Sequence, residues 1–366
     1  MNHQEGDRVP VDFGGFQSGI TVYAHERLKK KLGIISPTHI IERVQRLAEP
    51  EEEILKRFGV DTRYVFLRSS SNWDPQERPD NSYCDEWGTH WRKPKSSYYF
   101  DPVEFPLASA SLKDLEIYSW PDPDDLSRVQ GLGEKARLIR GSSPYALCTT
   151  VSGVFEQSWY LTGLERILIE VKENLAFVEK ILDKVLQIQL GIYGHLLDEV
   201  GQYLDLFEIW EDISTQNGPL IAPTVYRKII KPRTNQLIQF IRGKTNAKIA
   251  LHSCGSVSWA IEDFIQIGVE VLNPVQVAAA HMDSRILKQK YGDRLCFWGA
   301  IDTQRVLPQG SPREVREEVK RRVNDFAPGG GYMIAAVHNI QPDVPPENII
   351  AMFEAAKEFG EYPIRI

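Results

Sequence analysis

From residue 140 onward the chain alternates short β-type runs with longer helical stretches, and this alternation restricts the fold more than any other feature. The runs are 145–152 (YALCTTVS), 205–212 (DLFEIWED), 247–253 (AKIALHS), 269–275 (VEVLNPV), 295–301 (LCFWGAI) and 332–338 (YMIAAVH). They are apolar, β-branched and aromatic, as suits strands of a parallel sheet covered on both faces. Two earlier runs, 9–14 (VPVDFG) and 62–68 (TRYVFLR), bring the number to eight. Eight β–α units in 366 residues favour one closed (β/α)8 barrel, an α/β TIM barrel spanning 1–366, over an open doubly wound sheet. No GxGxxG follows the first strand, so a dinucleotide-binding open sheet has no support.

Between the strands, Leu175, Val178, Leu182, Val185, Ile192 and Leu196 recur at helical spacing, interrupted where Gln189 takes a turn. Ser311-Pro312-Arg313-Glu314 reads as a capping box with proline at the first helical position, and Gly360 follows the last helix. Segment 72–130 departs from this rhythm. It is rich in Trp, Tyr, Pro and Asp and reads as a long insertion after strand two, either a cap on the active site or a plain surface excursion.

Composition closes off several classes of function. The net charge of −7 is spread without acidic or basic blocks, which argues against nucleic acid or an anionic membrane as partner. No apolar run approaches the roughly 18–20 residues that span a bilayer, and the N-terminus lacks a secretory pattern. Cys84, Cys148, Cys254 and Cys296 are widely spaced without a CxxC pair, so a reducing cytoplasm is the expected setting.

Catalytic residues of such a barrel come from the C-terminal ends of its strands. The polar residues there are Asp12, the Glu208–Glu211–Asp212 cluster, His252 with Cys254, Asn273 with Gln276, Asp302, and His338 with Asn339. In a strand, residues i and i+2 share a face, so His252 and Cys254 both point into the barrel. Zinc takes such nitrogen and sulfur ligands but needs a third from the protein, which His338 can supply from the last strand. The plainer alternative is a buried cysteine acting as a small apolar residue. Asp212 is the carboxylate expected to do acid–base work or hold substrate, while Glu208 and Glu211 fit a solvated loop face. Asp302 either binds substrate or caps its loop.

Several pieces resemble the uroporphyrinogen decarboxylase superfamily over essentially the whole chain. They are EDISTQNGPLIAP (211–223), LHSCGS (251–256), FWGAIDTQRVLP (297–308) and GGYMIAAVHNIQPDVPPENI (330–349). RVPVDFGG (8–15) and DEWGTHW (85–91) fit members that are not true decarboxylases. The resemblance implies a (β/α)8 barrel with an extra N-terminal segment. True uroporphyrinogen decarboxylases carry arginines after strand one to bind the substrate's carboxylates. Here that stretch, FGGFQSGITVYAHERL, offers only Arg27.

The corrinoid-dependent methyltransferase branch is similar at a His-x-Cys strand end, matched by His252 and Cys254, and at a cysteine ending the last strand, where this chain has His338. The resemblance therefore implies a zinc-dependent methyltransferase that moves a methyl group between a small methylated substrate or thiol and a corrinoid protein. Cobalamin would arrive on that partner. In this reading Asp12, Asp212 and Asp302 are catalytic, Asn273, Gln276 and Tyr145 face substrate, and Trp87 of the insertion lines the pocket or the docking surface. The competing reading is a metal-free decarboxylase of a tetrapyrrole or smaller acid, with His338, Asp12 and Tyr145 around it. A non-catalytic scaffold is disfavoured, because polar groups in a barrel mouth bring a scaffold nothing.

Overall fold

The apolar runs become the staves of one parallel sheet. The computed structural model describes residues 1–73, 76–142 and 144–365. Short strands β1 (Ile20–Thr21), β2 (Ile40–Glu42) and β3 (Leu47–Ala48) form a small antiparallel sheet in the N-terminal segment. The barrel staves are β4 (Thr62–Tyr64), β8 (Ala146–Ser152), β9 (Leu206–Trp210), β10 (Lys248–His252), β11 (Val271–Asn273), β12 (Cys296–Ile301) and β13 (Tyr332–Ala336). They are hydrogen-bonded in the order β13-β12-β11-β10-β9-β8-β4.

The run 9–14, expected as the first strand, is an extended segment rather than a regular strand. Pro10 has no N–H to give a ladder. The segment nevertheless reaches both free edges of the sheet. Ile334 N donates to Pro10 O and Asp12 N to Ile334 O (both 2.9 Å), while Asp61 N donates to Val11 O (2.8 Å). Seven strands plus this link therefore close the barrel. Alternate residues of the staves fill its interior, among them Tyr64, Cys148, Ala250, Trp298 and Met333. The opposite faces pack beneath the helices.

Gln189, the break in the helical stripe, has a packing reason. It is fully buried in the helix Leu175–Val200, and its Nε2 donates to Ser152 O (3.2 Å) and Gly153 O (3.1 Å), satisfying carbonyls where β8 ends. The capping box at Ser311 and Glu314 forms. Gly360 ends its helix, but with φ −84° rather than in a left-handed turn.

The insertion is ordered. Strands β5 (Ser82–Cys84), β6 (His90–Arg92) and β7 (Asp101–Glu104) make an antiparallel sheet whose Tyr83, Trp91 and Phe100 form a separate small core. It covers the barrel mouth. Trp91 packs on Tyr160 with ring centroids 5.1 Å apart, and Thr89 Oγ1 donates to Tyr160 O (2.7 Å). Of the two sequence alternatives, the cap holds. Among the described residues no helix is long and apolar enough to cross a membrane.

Candidate active site

Parallel register places three strand ends side by side. His252 pairs with Trp210 of β9 on one side and with Asn273 of β11 on the other. The consequence is a hydrogen bond of 2.5 Å between His252 Nδ1 and Asn273 Oδ1. With the amide oxygen as acceptor, the ring carries its proton on Nδ1, and the Nε2 lone pair faces Cys254 Sγ at 3.5 Å. Burial holds His252 neutral, lowering its pKa to about 4.

Beyond His252 the chain must turn sharply. Gly255 sits at φ +90°, and a Cβ there would come within 2.5 Å of Thr215 O. The turn is fastened by Gly255 N donating to Gln276 Oε1 (2.6 Å) and Cys254 N donating to Asp212 Oδ1 (2.6 Å). Among the described residues, one group of potential ligands forms a tight set. Atoms of Asp212, His252 and Cys254 lie within 4.8 Å of one another.

These residues fit a zinc ion. Tetrahedral ligands at about 2.0–2.3 Å from a metal stand roughly 3.3–3.8 Å apart, and the His252–Cys254 spacing meets that condition. The Nδ1 proton given to Asn273 is the outer contact that fixes a metal-binding histidine. Burial, with Asp212 and Glu156, pushes the Cys254 thiol well above its ordinary pKa, and a cation is what would stabilise the thiolate.

The sequence pattern assigns the third ligand to His338. The structure instead puts Asp212 in the tight group and His338 on the wall of the adjoining cavity. The His338 imidazole is half-buried and its pKa lowered, first by desolvation, then by His252, with Asp212 opposing.

Glu156 joins this site from the helix Val154–Thr162, which starts directly after β8. Its Oε2 accepts from Asp212 N (2.9 Å). Burial and then Asp212 drive its pKa well up. Glu211 holds that helix, its Oε1 accepting from Glu156 N (2.7 Å) at the positive end of the helix dipole. Glu211 is thus a buried cap, not the solvated face its sequence suggested, and burial raises its pKa to about 8. Glu208 is likewise buried inside the barrel.

The cavity holds about 260 Å³ and is lined by fourteen residues, including Asp212, His252, His338, Glu156, Tyr160 and Trp210. Other sequence candidates lie elsewhere. Asp12 is 1% exposed and accepts from Ser18 Oγ, Thr62 Oγ1, Tyr64 Oη (2.8 Å) and Trp298 Nε1 (3.0 Å). Four donors occupy its two oxygens, so it is an internal tie of the barrel. Tyr145 precedes β8 and therefore sits at the opposite end of the barrel, its ring 3.7 Å from the Arg63 guanidinium. Asn273 and Gln276 support His252 and the Cys254 turn rather than lining the cavity. Asp302 caps its loop, accepting from Gln304 N (2.7 Å). Trp87 lines a second cavity of about 170 Å³, separated from the first by Phe16 and Trp210.

The family model described as uroporphyrinogen decarboxylase (URO-D) matches residues 101–359. The chain belongs to the uroporphyrinogen decarboxylase family. Uroporphyrinogen decarboxylase of Geobacter metallireducens is 25% identical over 263 residues, 69% of this chain and 71% of its own length. That of Alkalilimnicola ehrlichii is 23% identical over 276 residues, 70% and 68%. Among solved structures, a methyltransferase from Methanosarcina mazei superposes with a TM-score of 0.67 at 18% identity, covering 97% of this chain and 95% of that one. This last likeness shows the fold.

The family match divides the cavity in two. Its chemical groups, Glu156, Asp212, His252 and His338, lie within the matched residues. Phe16, Gln17, Glu42, Val44, Gln45, Asp85 and Trp91, half of the fourteen, come from the first 100 residues outside the match. Apart from Trp91, which the aromatic-rich insertion offered as a pocket residue, sequence reasoning passed over these and Glu156. For Glu156 a signal existed: Gly153 starts a helix at once, so the first helical turn still points into the mouth.

Proposed function

We propose that this member of the family is a zinc-dependent methyltransferase, moving a methyl group between a small methylated substrate or thiol and a corrinoid carried by a partner protein. One observation carries the reading: an imidazole, a thiol and a carboxylate converge at the mouth, with the imidazole tautomer set by Asn273. Zinc bound there would lower the pKa of a thiol or polarise the heteroatom bearing the methyl group.

The chain's own groups have distinct tasks. Asn273 holds the His252 proton on Nδ1, so that Nε2 faces the ligand position. Asp212 orients the Cys254 backbone through its Oδ1. Glu156, beside Asp212, holds a proton at the cavity wall for a departing or attacking heteroatom. The capping insertion shields the site from water.

The decarboxylase names of the relatives favour the competing reading, but the residues here do not. Among the described residues no Lys or Arg lines the cavity, and a tetrapyrrole bearing many carboxylates needs such groups. For a smaller acid, that reading requires Asp12, Tyr145 and His338 together. Asp12 is saturated with donors, and Tyr145 is at the other end of the barrel.

The test is metal content joined to turnover. Protein purified without chelator should hold about one zinc per chain, as a single catalytic site does. Cys254→Ala and His252→Ala should each lose the metal and the methyl transfer to a corrinoid protein while keeping a wild-type circular dichroism spectrum. Full-rate transfer by metal-stripped enzyme would overturn the proposal.

A further inference from the structure

The cavity carries a charge pattern that neither family membership nor the metal group requires. Four carboxylates from four separate segments line it: Glu42, Asp85, Glu156 and Asp212. Neutral donors hold them. Val44 N and Gln45 N bond Glu42, and Trp87 N, Thr89 N and Trp91 Nε1 bond Asp85. Asp212 N bonds Glu156, and Cys254 N bonds Asp212. Glu156 holds its proton and Asp212 belongs to the metal group, but these bonds leave the charge of Glu42 and Asp85 uncancelled, and among the described residues no Lys or Arg lines the cavity. Half-burying two carboxylates without a counter-charge is costly, so the cavity favours a cation.

The remaining wall narrows the kind of cation. Trp91, Tyr160 and Trp210 present aromatic surface to the same space. Aromatic faces attract a cation but accept few conventional hydrogen bonds. The oxygens of Glu42 and Asp85 already accept backbone and indole N–H groups, so a primary ammonium would have to compete for them, whereas a quaternary ammonium has no N–H to satisfy. The volume of about 260 Å³ falls just below the roughly 300–1,000 Å³ of drug-sized sites, so the ligand is small.

We propose that the cavity binds a small quaternary ammonium compound bearing N-methyl groups and no carboxylate. That it is a methyl donor rests on the methyltransferase reading above; that it binds does not. In the transfer, one carbon–nitrogen bond breaks and its electron pair stays on nitrogen, leaving a neutral tertiary amine. The methyl group bonds to the electron pair of a reduced Co(I) corrinoid on the partner. Charge and electrons balance, and no further reductant is consumed in the step.

Choline and its uncharged isostere 3,3-dimethyl-1-butanol test the proposal by calorimetry on the wild-type protein, without any corrinoid. Choline should bind at least tenfold more tightly than the isostere. Glu42→Gln, which keeps an acceptor for the Val44 and Gln45 amides, should weaken choline fivefold or more and leave the isostere unchanged. Equal binding of the two compounds, or a Glu42→Gln variant with unaltered choline affinity, would overturn the proposal. Methyl transfer from a methyl ether or thioether, with choline unbound, would sink it while the methyltransferase reading stood. Selective choline binding with no transfer to any corrinoid protein would do the reverse.

Discussion

Asn273 touches no ligand position, yet it should govern metal binding. Asn273→Ala removes the acceptor of the 2.5 Å bond to His252 Nδ1, at a position 1% exposed where no bulk water replaces it. The His252 ring is then free to flip or change tautomer, and its Nε2 no longer faces Cys254. Removing such an outer partner costs about 10–100-fold in metal affinity, which is about 1.4–2.8 kcal/mol at 1.4 kcal/mol per tenfold. The metal-free protein loses a similar amount. A buried N–H left unsatisfied costs about 1–3 kcal/mol. With an unfolding entropy near 2.1 cal/mol/K per residue, that lowers Tm by roughly 1–4 °C for a chain of 366 residues. Zinc affinity is measured by competition against a chromophoric chelator, with Tm of the metal-free protein alongside. Asn273→Asp keeps an acceptor for Nδ1–H and should retain most of the affinity. Unchanged zinc affinity in Asn273→Ala, or an equal loss in Asn273→Asp, would refute the role given to this residue.

Three further outcomes follow from the same geometry. Asp212→Asn should weaken zinc more than His338→Ala does, because Asp212 belongs to the tight ligand group; the opposite order in a chelator competition would make His338 the third ligand. Gly153→Ala would bring a Cβ within 2.5 Å of Glu211 Oε2 and displace the cap of the helix Val154–Thr162, costing about 1–3 kcal/mol in denaturant unfolding. Glu208 is buried, and burial, with Thr150 opposing and Asp12 adding, raises its pKa from 4.5 to about 8. A folded state that keeps a proton the unfolded chain releases loses stability as pH climbs from about 4.5 to 8. Glu208→Gln should therefore gain on wild type over that range and be the more stable protein at pH 9. A pH-independent Tm difference would contradict this.

The barrel was legible because its cause is local. Continuous apolar runs such as LCFWGAI at 295–301 have no polar face to show to water, so they must lie in a sheet covered on both sides. His252 was legible as the end of a strand, but Cys254 lies two residues past β10, where the turn fastened by Asp212 and Gln276 rather than the pleat brings its thiol to His252 Nε2. What the sequence could not decide is which groups from distant segments meet. Asn273 and Gln276 look like substrate ligands at strand ends, and only the parallel register of β10 and β11 makes Asn273 the support of His252. Asp12 and Tyr145 look reactive in isolation. Barrel closure surrounds the first with four donors, and position before β8 sends the second to the far end. Glu211 reads as a surface acid until the helix Val154–Thr162 packs its amino terminus on it. The metal group and the acidic, aromatic cavity are assembled across hundreds of residues by folding, because charge, burial and reach are properties of neighbours in space rather than in sequence.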